Sequence, residues 1–459
     1  MKKDQGLGSV HREETIQSMI GTPAKATFYK SYLIEDVLPF WMQHGWDREL
    51  GGMWTALDRD GTLLDSDKSV WFQGRSCWMF ATMHNTSIEQ SVPPDPRWLA
   101  IAQSCADFLD RCAAIQPLAK DEDAGVGLSN WLDQHRGVRA PKLYFTVTRD
   151  AKPLRMRRYY YSESFAAIAY ASMAKATGER RYRVASVAML EAFLRACLGA
   201  GTTYAGQGRE PSGSARFSEV EIDGIPAKVD SHTRPLQGIG PWMIAMASAQ
   251  ELRANLGDVE VLGKSCTDWI DHCIETIDQV FYKRDLGVLM EVVGGEGQVL
   301  DHFDTRQLNP GHAIECAWFI LHESRLRSNK RLQELGLGIL DCMWQRGWDK
   351  EYGGLFYFRD VYDKPVQEYW HDMKFWWPHC EAIIATALAH HLTGEDRYRQ
   401  MHEQVHAWSF EHFADNEQGE WFGYLHRDGS RTNTLKGSMW KGPFHLPRML
   451  WYCSQLEGD

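Results

Sequence analysis

Segments with helical periodicity recur in pairs along nearly the whole chain, and a chain so built has few ways to bury its apolar faces. Apolar residues repeat at helical spacing over 71–85 and 97–113, 160–177 and 181–198, and 235–255 and 261–281. The pattern continues over 309–321 and 330–345, and over 373–391 and 396–413. One unpaired helix is predicted over 28–43 and another over 444–456. Packed together, these two make a sixth hairpin and close a ring. The segments after the second helix of a pair are also alike. "GWDRELGGMWTALDRDG" from Gly45 and "GWDKEYGGLFYFRD" from Gly347 are the same unit. "RDLGVLMEVVGGEGQ" from Arg284 and "EQGEWFGYLHRDGS" from Glu417 are looser copies, and "LYFTVTRDAKPL" from Leu143 keeps the alternation. Each reads as a short β-hairpin with a Gly or Asp-Gly turn. Repetition at this period predicts one all-α domain over 1–459, a ring of helical hairpins with β-hairpins crowding one end. Residues 1–24 read as a flexible N-terminal tail. Residues 116–141 and 199–231, rich in Gly, Pro and charge, read as long loops able to cover a central cavity.

The composition removes several function classes. A net charge of −11 with no basic stripe argues against a nucleic-acid partner. No apolar run approaches a membrane span, and "MKKDQGLGSVHREETIQSM" lacks an apolar core of the secretory type, so a soluble, cytoplasmic protein is expected. The 10 cysteines form no CxxC pair and read as buried free thiols of a reducing compartment. The 19 Trp, 17 Tyr and 19 Phe supply planar faces that fill a core and also suit the C–H surfaces of sugars.

In a ring of this kind the first helix of each pair lines the inside, and the N-terminal ends of those helices share one mouth. Those ends carry the residues that need explaining: Arg75 in "VWFQGR", Glu163 in "YYYSESF", His232 and Arg234 in "SHTRPLQ", and His312 and Glu315 in "NPGHAIE". "KFWWPHCEA" adds Trp376, Trp377, His379 and Glu381, and "KGPFHLPR" adds His445 and Arg448. Singly, each has an ordinary explanation: a hydrogen-bonded core histidine, a buried ion pair, a core tryptophan. Polar groups at the same position of successive hairpins read instead as a site. Asn309 is a predicted N-cap and Pro310 the first helical residue, so His312 sits in the first turn. There the helix dipole is expected to keep the ring neutral, as a general base needs. No GxxxxGK[ST], GxGxxG or GxSxG motif is present. "HAIEC" offers His312, Glu315 and Cys316 as a zinc set, at a spacing unusual for one.

The phrases "VWFQGR", "TVTRDAKPLRMRR" with "YSESF", "LNPGHAIECAWF", "GWDKEYGGLFYFRD", "KFWWPHCEAIIA", "GEWFGYLHRDG" and "KGPFHLPR" follow one another from about residue 40 to 450. In them the chain resembles the N-acylglucosamine 2-epimerases, within a superfamily that includes cellobiose 2-epimerases and aldose–ketose isomerases. The resemblance implies an (α/α)6 barrel, in agreement with the hairpin count. It implies interconversion of N-acetylglucosamine and N-acetylmannosamine, an amino-sugar step of sialic acid metabolism, by moving the hydrogen at C2. The paired catalytic histidines match His312 and His445. Arg75 and Glu315 match the family's arginine and the acidic partner of the first histidine. Glu163, Trp376, His379, Glu381 and Arg448 are expected to contact the sugar. Disaccharide epimerases carry another histidine near the position of Glu163, and its absence favours the N-acyl branch. No metal or redox cofactor is required for this chemistry. ATP as an activator that is not consumed, and a homodimer, are further expectations from the resemblance. The alternatives on the same residues are an aldose–ketose isomerase, a glycoside hydrolase using two of Glu163, Glu315 and Glu381, and a non-catalytic binding protein.

Overall fold

The computed structural model describes residues 22–113, 126–135, 140–157, 160–198 and 233–456. Six inner helices ring a central cavity: Val70–Glu89, Tyr161–Thr177, Gly240–Leu256, Pro310–Arg327, Trp376–Thr393 and His445–Gln455. Outer helices Pro96–Leu109, Arg180–Leu198, Cys266–Thr276, Lys330–Gly347 and Asp396–His412 pack behind the first five. The N-terminal helix Thr22–Tyr32, extended by the wide turns Leu33–Val37 and Trp41–Gly45, packs behind the sixth and completes the predicted hairpin. The seam between the sixth and first inner helices is held by Trp451 Nε1 donating to Thr86 Oγ1 at 3.0 Å. The two layers differ in the way their positions dictate. Lys330–Gly347 buries one stripe (Leu332, Leu335, Ile339, Leu340, Met343) and exposes Arg331 and Glu334, while Trp376–Thr393 buries residues on every side.

Four of the six inner helices, the first, third, fourth and fifth, begin where a short strand ends, and that strand pairs with one from the segment following the same hairpin. Lys68–Ser69 pairs with Thr146–Val147, Leu236–Gly238 with Val292–Gly294, Gln307–Leu308 with Arg359–Asp360, and Lys374–Phe375 with Tyr424–Leu425. The paired strands tie the two ends of a helical hairpin together at the rim that carries the helix N-termini. The GWD repeat forms a minimal hairpin, and in its first copy Ala56–Leu57 pairs with Leu63–Asp65 across the Asp-Gly turn. Its opening strands are single bridges, Trp46↔Met53 and Trp348↔Leu355, and its aspartate is the working part. Asp349 accepts from Lys374 Nζ at 3.0 Å, Arg427 Nε at 2.8 Å and the Glu351 N–H at 3.0 Å. Asp47 takes Lys68 and Arg149 in the same way, and Asp415 takes Lys436 and Arg59. For Asp47 and Asp349 the lysine lies two residues before an inner helix and the arginine in a turn of the neighbouring repeat, so the clasp fixes where that helix starts, whereas Lys436 stands nine residues before His445. Burying such a group costs desolvation, and removing one partner leaves a buried charge, at about 3–5 kcal/mol.

The element boundaries depart from expectation at several helix starts. Residues 235–239 are strand and turn, and the third inner helix starts at Gly240, with Pro241 in its first turn. Residues 260–265 form a small hairpin, and Ser265 with Asp268 builds a capping box that starts the outer helix at Cys266. The helix expected from 373 starts at Trp376. The N-terminal helix begins at Thr22, within the segment read as a tail, whose residues 1–21 lie outside the described residues. Within 116–141, Leu128–Gln134 is a helix rather than loop, because Asp110 accepts from both Ser129 N–H and Ser129 Oγ at its start. Residues 116–125, 136–139 and 199–231 lie outside the described residues. All ten cysteines are free, with Cys197 and Cys342 only half-buried. No described helix is long and apolar enough to cross a membrane.

Candidate active site

The inner helices enclose a cavity of about 1000 Å³ that takes in Arg75, His312, Glu315, Trp376, Trp377, His445 and Arg448. Two glycines let the helices carrying these groups come together. A Cβ at Gly74 would stand 2.9 Å from the backbone of Phe165 on the second inner helix. One at Gly311 would stand 2.7 Å from the Trp377 ring. Each glycine precedes a cavity residue, Arg75 or His312, and so sets how deep that residue sits.

His312 lies in the first turn of its helix, with Asn309 as N-cap accepting from its N–H at 3.1 Å and Pro310 in the first turn. Its Nδ1 faces both oxygens of Glu291, at 3.0 and 3.1 Å. The downward shift expected of the helix dipole is not found. Burial pulls the pKa of His312 down, but Glu291, with Glu315 and Glu381 behind it, overrides burial and raises it above the ordinary value. The helix dipole is the weaker influence beside a carboxylate in contact. The His312 side chain is 32% exposed, and it lines the cavity.

His445 is its opposite. The side chain is 10% exposed, and Nδ1 lies 2.7 Å from Glu381 Oε1. Glu381 already accepts Arg448 Nη2 at 2.6 Å and Trp318 Nε1 at 2.7 Å. Nδ1 of His445 must therefore donate, which leaves the lone pair on Nε2. Burial first, then the charges of Arg448 and Arg75, hold His445 well below the ordinary imidazole range, against a smaller opposing effect of Glu315. Arg448 Nη2 also donates to Glu315 at 2.7 Å. Glu315 thus holds Arg448, and the partner expected of it, His312, belongs to Glu291.

Trp377 packs against both imidazoles, with ring centroids 5.0 Å from His312 and 5.8 Å from His445. Trp376 lies edge-on to His445 at 6.1 Å and lines the cavity with it. Arg75 has no carboxylate partner among the described residues. It donates from Nη1 to the Trp440 carbonyl at 3.3 Å and lies over the Phe165 and Phe444 rings, and its buried Nε meets no acceptor. Burial, reinforced by Arg448 and offset by Glu315 and Glu381, brings its pKa down to about 9. A guanidinium kept charged at neutral pH without a carboxylate of its own is suited to an oxyanion.

Three expected site residues do not line the cavity: Glu381 is fully buried behind His445 and Arg448, and the other two stand away from it. Glu163 is fully buried, accepts the Leu143 N–H at 2.6 Å and lies 3.8 Å from Lys142. His379 is also fully buried, donates to the Phe375 carbonyl at 2.6 Å, accepts the Leu355 N–H at 2.9 Å and stacks on Trp408. Of the other residues singled out, Arg234 pairs loosely with Asp304 at 3.8 Å, and His232 lies outside the described residues. The zinc set does not converge, since His312 turns to Glu291 and Glu315 to Arg448. Glu315, Glu381 and His445 do converge, but the Arg448 guanidinium bridges the two carboxylates where a cation would sit. With Glu163 outside the cavity and that bridge in place, no two of Glu163, Glu315 and Glu381 span the cavity as free carboxylates, as a glycoside hydrolase needs.

The sequence profile of the N-acylglucosamine 2-epimerase (GlcNAc 2-epimerase) family matches residues 217–445. The N-acylglucosamine 2-epimerase of Bos taurus is 33% identical over 92% of this chain and 89% of its own length. That of Homo sapiens is 32% identical over 93% of this chain and 88% of its own. A sugar epimerase from a ruminal bacterium superposes with a TM-score of 0.71 at 16% identity, covering 95% of this chain and 99% of the other, which shows the shared (α/α)6 fold. The chain belongs to the N-acylglucosamine 2-epimerase family, and it is an isomerase.

Proposed function

We propose that the protein interconverts N-acetylglucosamine and N-acetylmannosamine in their open-chain forms, passing the C2 proton through two histidines and an enediolate. One observation carries the reading. A neutral histidine and a histidine biased towards imidazolium share a cavity, each fixed at Nδ1 by its own carboxylate, with an unpaired guanidinium on the wall. In one direction His445 Nε2 takes the proton from C2, and the C2–H electron pair becomes the C1–C2 double bond. The carbonyl electrons move to O1, where Arg75 meets the negative charge. His312 then gives its Nε2 proton to the other face of C2, and the aldehyde re-forms. The enzyme is left with His445 charged and His312 neutral, the state that starts the reverse direction or returns to rest by exchange with solvent. Arg448 and Glu381 hold His445 in its tautomer, and the Trp377 face bounds the sugar.

The test is proton NMR of N-acetylglucosamine with the purified protein in D2O, with and without ATP. The reading expects N-acetylmannosamine labelled with deuterium at C2, and a dependence on ATP would reveal an effector site. A ketose product would replace epimerisation with aldose–ketose isomerisation on the same histidines. Absence of both product and exchange would overturn the reading.

A further inference from the structure

The cavity is longer than an amino sugar needs. Past the histidines it continues along the inner helices, where Phe165, Ile168, Met243, Ile244, Ala247 and Phe319 form an apolar side of its wall. Along the third inner helix it reaches from Met243 to Glu251, eight residues or about 12 Å of helix. Ile244 and Ala247 are only half-buried although they sit on an inner helix, because their free surface faces this bore. Its lower end is polar, with Thr82, Ser248 and Glu251 in the lining, and the Glu251 carboxylate accepts Trp78 Nε1 at 2.8 Å.

Resting on the epimerase reading above, the geometry points to this bore as the site for the N-acyl group, and we propose that it admits acyl chains longer than acetyl. The argument is one of elimination at C2. Its hydrogen must face the two Nε2 atoms and its neighbour O1 must face Arg75. Two substituents remain, the acylamino group and the hydroxylated chain C3–C6, and two directions, the mouth and the bore. The mouth is edged by aromatic faces, Tyr357, Trp370 and the exposed Trp440, past which hydroxyls reach water. The upper bore offers those hydroxyls no partner among its six apolar side chains, and burying them unpaired is costly. The acyl chain loses nothing there and gains burial with each methylene. Ala247 leaves the width that a larger side chain would fill.

Calorimetry with open-chain analogues, the 2-acylamino-2-deoxyglucitols bearing acetyl, butanoyl or hexanoyl groups, reads binding without turnover. The expected result is an affinity that rises about twofold or more with each added methylene, and that loses this gain in Ala247→Phe. Ala247→Leu, a smaller change, is expected to retain butanoyl binding and lose the hexanoyl gain, which separates blockage from misfolding. Affinity that falls with chain length in the wild type, or a gain that survives in Ala247→Phe, would overturn the proposal. Rising affinity in a protein that does not epimerise N-acetylglucosamine would leave the bore assignment standing and sink the epimerase reading instead.

Discussion

His312 and His445 are the same side chain, at the first turns of two inner helices facing one cavity, yet their surroundings drive them in opposite directions. His312 meets a carboxylate, Glu291, that has no other charged partner among the described residues, and the His312 pKa is pushed up. His445 meets a carboxylate already bound to Arg448, so the attraction is spent on the guanidinium and burial decides. A carboxylate beside a histidine therefore does not by itself predict a charged ring. What counts is the net charge of the cluster once every partner is included. For proton transfer this difference supplies an acid and a base from one residue type.

The largest test of the pair is to remove either ring. His312→Ala and His445→Ala are each expected to lower kcat for epimerisation by about 10²- to 10⁴-fold. In D2O each variant should still exchange the C2 hydrogen of one epimer only, and a different one in each case. Near-normal turnover by either variant would break the two-base scheme. Next is Glu381→Gln, which frees His445 from its fixed tautomer and leaves Arg448 with Glu315 alone. A loss of about 10²-fold in kcat is expected, with a lower Tm from the weakened buried ion pair. Glu291→Gln comes third, at about tenfold, and sharpens the comparison through pH. In the direction that uses the His312 imidazolium, activity holds as pH rises until that raised pKa is passed. Removing the Glu291 charge lowers the pKa, so the alkaline limb of the pH–rate profile should move to lower pH. A limb that stays in place would detach Glu291 from the acid. The smallest effect on activity is expected of His379→Gln. Its ring is a third buried histidine, bonded at both nitrogens outside the cavity, so kcat should change little while stability falls by about 1–3 kcal/mol.

The ring of hairpins was legible because its period is long and repeats, and so were the helix ends that carry the site. Which side of a helix end faces the cavity was also written in the sequence, but needs the helical angle. Trp377 and Glu381 lie four residues apart and share the cavity side of their helix, so His379, two residues from each, points about 160° away, towards Trp408. Glu163 stands in the same relation to Tyr161 and Phe165, which line the cavity. Glu291 was not legible in this way. It lies in the hairpin segment after the third outer helix, and only the closure of strand Val292–Gly294 onto Leu236–Gly238 brings it to His312. Its one signal was a lone acid inside the apolar run "VLMEVVG". The direction of the shift at His312 escapes the sequence for the same reason, since the local dipole is visible there and the distant carboxylate is not.

The opposed states of the two rings are best tested by 15N NMR of histidine-labelled protein through a pH titration, with His312→Gln and His445→Gln to assign the signals. The account predicts one imidazole that titrates above the ordinary value near 6.5 and disappears in His312→Gln. It predicts a second, absent from His445→Gln, that keeps a proton on Nδ1 and a bare Nε2 from neutral pH into acid. Two rings titrating together near the ordinary value, or the reverse assignment, would contradict it.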